Sequence, residues 1–387
     1  MIRLGEKIRE LRLRDARTQE ALACELGVTA QAVSRWEKGT CYPDMEIIPS
    51  IANCFGVSID ELFGYDNERM KKAELMAAEI QEMNRQNNGK DINMDECISL
   101  AREALIEFPG NEKLMLTLAD VLYNAGYVRY GEMHIRGEDG FSVCDTERHK
   151  KYTEWQEAIR LYEKLLQSLP EGQERQKAVT ELSQLYKNTG EHEKALRLAS
   201  SAPEMTASRP FLRINAFDGK DAVAASGEAL LETFQQSALL MVQIVLADGT
   251  IPPEDCAAIL QNTQDLFMFI CPDGRFGKNA GLLACIQMLR SYYLWLSGER
   301  DDAFTELDKA LDCARQADTL SEMNGEYYTS PLLHHIRIHA ENAQAGVTFR
   351  SELPELWPWW DVPGQEKVKA EMRSDPHWEI WVRKAKE

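Results

Sequence analysis

The chain has no Cys-x-x-Cys pair among its nine cysteines, and an odd number cannot close completely into disulfides within one chain. Reduced, structural thiols are expected. Glycine (23) and proline (14) are too sparse among 387 residues for a collagen-like or broadly disordered protein. The longest apolar runs, such as 238–247, are too short to span a bilayer, and the first ten residues carry no signal-peptide core. A cytoplasmic protein without a membrane partner is expected. Also lacking are a G-x-S-x-G elbow, a Walker loop and a dinucleotide fingerprint, so nothing supports an enzymatic function or a cofactor. His335 and His339 stand one helical turn apart beside His334, a spacing that can bind a metal. With no matched third ligand they read as ordinary helix histidines, and no metal site is expected.

Positive charge is the other scarcity. Net charge is −19, yet residues 1–65 hold eight Lys/Arg against ten Asp/Glu, which leaves −17 for the remainder. So acidic a body repels nucleic acid, and any such contact must come from the N-terminal segment, whose basic residues cluster at Arg3, Lys7, Arg9, Arg12, Arg14 and Arg17.

Within that segment Leu4, Ile8 and Leu11 share one helical face, with Arg9, Arg12 and Arg14 outside it. Thr18 is an N-cap for a second helix that Gly27 ends in the left-handed conformation. Thr29 then caps a third, residues 30–38, closed by Gly39, in which Val33 and Trp36 face inward. A helix pair joined by such a turn can set the front of its second helix in a DNA major groove. Ala30, Gln31, Ser34, Arg35 and Lys38 point outward there, and Gln and Arg can make paired hydrogen bonds to adenine and guanine edges. Gln19, Arg12 and Arg17 are expected at phosphates, and Thr29, at the front of the third helix, completes the DNA-binding candidates.

The string TQEALACELGVTAQAVSRWEKGTCYPD, followed by IIPSIANCFGVSIDELFG, closely resembles the lambda-repressor-like helix-turn-helix family, also called Cro or XRE, over about residues 3–64. The resemblance implies five helices, the last two near 45–55 and 58–63, with base contacts from Ala30, Gln31 and Arg35 and Gln19 at the phosphate. Ala30 departs from the polar residue many relatives carry; it can meet a thymine methyl. Cys24, Cys41 and Cys54 show no metal spacing and read as inert.

From 67 to 84, Met70, Ala73, Met76, Ile80 and Met83 mark an amphipathic helix, and the polar stretch from Asn84 to Asp91 reads as a hinge broken by Gly89. Beyond it come degenerate repeats. Ala158, Tyr162, Leu165 and Pro170, then Leu182, Ser183, Tyr186, Gly190 and Ala195, resemble tetratricopeptide units. Leu294, Gly298, Ala303, Leu307 and Ala310 form a third, and Cys97, Ala101, Ala104 and Pro109 a partial one. Residues 127–154 read as an insertion with a loop at 137–140. The predicted architecture is all-α: a five-helix DNA-binding domain (1–65), a helical linker (66–94), a tetratricopeptide-like solenoid (95–345) and a Trp-rich C-terminal cap (346–387). Five of the eight tryptophans fall in that last segment.

Stacked helix pairs of this kind bury a continuous core and leave a groove suited to a peptide or protein segment. Asn124 and Asn188, each two positions before a turn glycine, are the groove candidates, since an amide can bond a peptide backbone through both donor and acceptor. The sequence therefore predicts a regulator that binds double-stranded operator DNA as a homodimer, its body supplying dimer contacts and peptide or ligand sensing. The combination also resembles peptide-pheromone receptors of the Rgg and PlcR type. That resemblance implies that a bound peptide changes the spacing of two DNA-binding domains. An adaptor whose repeats recruit a partner protein to DNA is the alternative.

Overall fold

Caps and breakers set the first helices, as they stand in the computed structural model, which describes residues 4–63, 65–87, 89–339 and 348–386. Helix α1 (Leu4–Arg14) precedes α2 (Gln19–Leu26), where the Thr18 hydroxyl accepts from the Ala21 N–H and Gly27 closes the helix at φ 68°. Helix α3 (Ala30–Glu37) begins at Thr29, whose hydroxyl accepts from Ala32 N–H; α4 (Ile48–Phe55) follows a single 3-10 turn, and α5 (Ile59–Phe63) completes the bundle. Leu4, Ile8, Leu11, Leu22, Val33, Trp36, Ile51, Phe55 and Leu62 form its core. At Gly5 a Cβ would stand 2.0 Å from the Trp36 carbonyl oxygen, so α1 crosses α3 in contact with its backbone.

The chain divides into two units, residues 1–131 with 152–185, and residues 132–151 with 186–387. In the first, α6 (Tyr65–Gln86) lays Ala73, Ala77 and Ile80 against α7 (Met94–Glu107) and α8 (Glu112–Tyr130). The stretch expected to be a hinge is cross-bonded instead. Buried Asn87 accepts from the N–H groups of Ile92 and Asn93 at 2.9 and 3.0 Å and donates to Met83 O and Asn93 Oδ1. One side-chain amide thus partners a carbonyl in the last turn of α6 and two N–H groups just before α7. Helix α8 packs on α10 (Thr153–Leu165), where Trp155 is fully buried and its Nε1 donates to Tyr123 O. Helix α11 (Gln173–Asn188) follows.

Between α8 and α10 the chain is not wholly helical. Residues 134–136 (β1) and 142–144 (β2) pair as an antiparallel hairpin, followed by α9 (Thr146–His149). These residues are counted with the second unit, which continues through α12 (His192–Ser201), α13 (Arg209–Ile214), α14 (Gly219–Ala247), α15 (Pro253–Ile270), α16 (Ala280–Leu296) and α17 (Arg300–Asp318). Contrary to the sequence expectation, α14 is long and apolar enough to cross a membrane by length and composition, because small residues join its short apolar runs. Seven of its residues, Leu231 and Val242 among them, are buried, and it packs on α13 and α15.

Helices α16 and α17 are the most closely packed pair, through Leu294, Ala303, Leu307 and Ala310. Helices α18 (Phe349–Leu356), α19 (Gln365–Arg373) and α20 (Pro376–Lys386) cover them: Trp357 Nε1 donates to Ser291 Oγ at 2.8 Å and Trp381 Nε1 to Leu307 O at 3.0 Å. Burying indole with its N–H partnered keeps the apolar gain without an unmade bond. The segment with His334, His335 and His339 is a series of turns closed by a Tyr327–Arg337 bridge, not a helix, so the inferred one-turn spacing does not exist. The expected boundary at 345–346 lies outside the described residues.

Candidate nucleic-acid interface

Helix α3 is amphipathic, and burial of Val33 and Trp36 decides which face it turns to solvent. Gln31, Arg35 and Lys38 are exposed there, with Ser34 and Ala30 half-buried beside them. Neither Arg35 nor Lys38 has a side-chain partner among the described residues, so both cations are free for an external anion. Thr29, also exposed, has its hydroxyl oxygen occupied by the cap. Gln31, Ser34, Arg35 and Lys38 thus present four side-chain donors along roughly 10 Å, from the first turn of α3 to its C-cap residue.

The residues expected at phosphates behave differently. Arg12 is buried and paired with Glu37 through two hydrogen bonds, Nε to Oε1 at 2.5 Å and Nη2 to Oε2 at 2.9 Å, while Nη1 donates to Arg17 O. It ties α1 to α3, and burial with its charge paired to Glu37 holds it away from an external phosphate. Gln19 donates to the same Glu37 at 2.8 Å. Burial pushes the Glu37 carboxyl up, but the bonds from Arg12 and Gln19 more than offset this and hold it below its ordinary value. Arg17 bonds Glu25 at 2.6 Å and Cys54 Sγ at 2.9 Å, with its guanidinium over Phe55. Arg12 and Gln19 thus hold α3 through Glu37, while Arg17 links the turn before α2 to α2 and α4 through Glu25 and Cys54.

The groove candidates fall in different units. Asn124 lines a cavity of about 380 Å³ with Gly89, Tyr123, Tyr127 and Val128, but its Nδ2 already donates to Asn84 Oδ1 at 2.9 Å. Asn188 is fully buried: its carbonyl faces His149 Nδ1 at 3.0 Å and its Oδ1 accepts from the Cys144 thiol at 3.6 Å. It is a packing residue at the end of α11, with no exposed surface.

Sequence reading passed over one cluster. Glu132, His134 and Cys144 bring a carboxylate oxygen, an imidazole nitrogen and a thiol within 4.8 Å of one another. The only available signal was a turn at 137–140, which brings residues ten apart opposite each other; without the strand register the three were unconnected.

The family described as Helix-turn-helix matches residues 8–62. The HTH-type transcriptional activator BcrR of Enterococcus faecalis is 47% identical over 58 residues, 15% of this chain; the match spans 28% of BcrR's own length. An uncharacterized HTH-type transcriptional regulator of Archaeoglobus fulgidus is 36% identical over 64 residues, 16% of this chain and 91% of that protein. Among solved structures, Bacillus thuringiensis PlcR, in complex with the peptide PapR7 and DNA, aligns over 82% of this chain and 96% of its own at 15% identity and a TM-score of 0.29. Since the exposed face of α3 lies within the stretch shared with the Archaeoglobus fulgidus regulator, matched over nearly its whole length, the chain belongs to the helix-turn-helix transcriptional regulators.

Proposed function

We propose that the chain is a sequence-specific DNA-binding regulator that acts in the cytoplasm as a homodimer, reading bases with Gln31 and Arg35 and reaching phosphate with Lys38. The observation that carries this reading is the contrast on α3: exposed, unpartnered Arg35 and Lys38 on one side, and Arg12, Glu37 and Gln19 locked together behind them. Because α3 is held at a fixed angle by the paired residues behind it, only its exposed side chains remain to be ordered on binding. Dimerisation follows from operator geometry, since two recognition helices about 34 Å apart read successive major grooves. Ala30 and Ser34 shape the same face, and Gln19 and Arg17 support it at the rim.

For the body we propose dimer contacts and ligand sensing. The cavity between Tyr123, Asn124 and Tyr127 supports the second role, as two phenol rings and an amide suit a small apolar group carrying one polar end. No catalytic role is proposed.

Selection of genomic fragments by the purified protein at fixed salt tests the first reading, run beside a Gln31→Ala/Arg35→Ala variant. Wild type enriches a two-fold-related site; the variant, with unchanged thermal midpoint, enriches none. Equal enrichment by both would refute base reading by α3, because phosphate contacts alone do not select sequence.

A further inference from the structure

We propose that the β1–β2 hairpin carries a transition-metal site of the zinc class, held by Glu132, His134 and Cys144. The inference is independent of the DNA-binding reading. Strand register builds the site: His134 and Cys144 are direct cross-strand partners, and Glu132, two residues before His134, returns to the same face. His134 Nε2 lies 3.7 Å from Cys144 Sγ and 3.6 Å from Glu132 Oε1, and that oxygen lies 4.0 Å from the sulfur. Around a tetrahedral zinc with ordinary bond lengths, those pairs would be separated by roughly 3.3–3.6 Å. Closing the triangle on an ion takes a contraction of a few tenths of an ångström, within reach of side-chain rotation.

The histidine is already set for such a role. Its Nδ1 faces the Glu132 carbonyl at 3.1 Å, so the N–H sits there and the Nε2 lone pair faces the sulfur and the carboxylate. Orientation of a ligand histidine through its other nitrogen is the usual outer-shell arrangement of metal sites. The base of the hairpin is fixed as well. Fully buried His149 accepts from Met133 N–H at 2.9 Å through Nε2 and lies 3.0 Å from Asn188 O through Nδ1. His134 and Glu132 are about a quarter exposed, which leaves an entry path and room for water as the fourth ligand.

Ligand chemistry selects the ion. A thiolate with an imidazole disfavours calcium and magnesium, and a carboxylate with them suits a borderline divalent ion such as zinc. Binding displaces the thiol proton to solvent. It must also displace Lys187, whose ammonium stands 3.3 Å from Glu132 Oε1 and occupies the negative end of the site. This competitor gives the proposal a test that misfolding cannot imitate.

The experiment is titration of the reduced, chelator-treated full-length protein with Co²⁺, followed by displacement with Zn²⁺. One ion per chain with sulfur-to-cobalt charge-transfer absorption is expected. Cys144→Ser abolishes the band, and His134→Ala and Glu132→Gln each weaken binding about tenfold or more. A Cys24→Ser/Cys41→Ser variant, which removes the exposed thiols, retains it, and Lys187→Ala tightens binding several-fold. Absence of the band in wild type, its survival in Cys144→Ser, or no gain in Lys187→Ala overturns the proposal.

Discussion

Arginine 12 and arginine 35 show how differently one residue type is used within a single bundle. Arg35 is exposed on α3, whereas the Arg12 side chain is 10% exposed and its partner Glu37 only 3%. Removing one member of a buried pair leaves the other charged and unsolvated, which costs roughly 3–5 kcal/mol. Arg12→Ala is therefore expected to destabilise the N-terminal bundle on that scale, seen as faster amide hydrogen exchange in α1–α3. Arg35→Ala is expected to change stability by no more than about 0.5 kcal/mol while removing selective DNA binding. Were Arg12→Ala to leave exchange untouched and weaken DNA binding as Arg35→Ala does, the phosphate role that its position suggests in the sequence would be restored. The pattern of charges could not separate these two residues. What divides them is a carboxylate 25 positions away, and the sign of a side chain says nothing of its distant partner.

Elements were legible where their information is local. The caps at Thr18 and Thr29, the left-handed Gly27 and the inward pair Val33 and Trp36 are all written within a few residues of the structure they produce. The close crossing at Gly5 was not, because it depends on the carbonyl of Trp36 arriving from another helix. Gly5→Ala, harmless in an isolated helix, is expected to cost about 1–3 kcal/mol by forcing α1 off α3, measurable as a lower melting temperature for the bundle. The hairpin escaped notice for a similar reason: each strand has three residues, too few for an alternation to be read.

Nor does sequence reveal the buried polar group joining α8, α10 and α11. The Tyr162 hydroxyl lies between Asp120 and Glu181, and Lys177 bonds Asp120. One phenol proton cannot serve two carboxylates. A proton on Glu181 donated to Tyr162, which in turn donates to Asp120, satisfies all three. Burial, then the charge of Asp120, pushes the Glu181 carboxyl up to about 7 from its ordinary 4.5. The folded protein thus holds a proton that the unfolded chain has already released above pH 4.5. Its stabilising effect is complete below 4.5 and is lost as pH rises through about 7. The thermal midpoint of the transition that includes α8, α10 and α11 is expected to fall between pH 5 and pH 8 in wild type. Glu181→Gln, neutral throughout and still a donor, flattens that fall; an unchanged slope would show that the proton resides elsewhere.

For the whole molecule, charge sets the terms on which it meets DNA. Outside residues 1–65 the chain carries −17, so the acidic remainder opposes approach, and affinity depends on a small number of cations. In the bundle Arg14 is tied to Asp15 and Phe55 O, Lys7 to Glu10 and Arg17 to Glu25. Among the described residues of the bundle this leaves Arg9, Arg35 and Lys38 without partners. Each cation that neutralises a phosphate releases condensed counterions, giving a slope of log K against log salt of about −0.9 per contact. With Arg35 on a base, two phosphate contacts per protomer, from Arg9 and Lys38, predict a slope of about −4 for a homodimer on its operator and about −2 for a single chain. Fluorescence anisotropy of a labelled operator over a range of salt distinguishes the two, and Lys38→Ala is expected to reduce the dimer slope by about two. A slope near about −2 together with one chain per operator would remove the homodimer from the proposed function while leaving α3 as the reading element. A slope much steeper than about −4 would require phosphate contacts beyond those of Arg9 and Lys38, and would move part of the DNA contact to other cations of the bundle or to the body despite its charge.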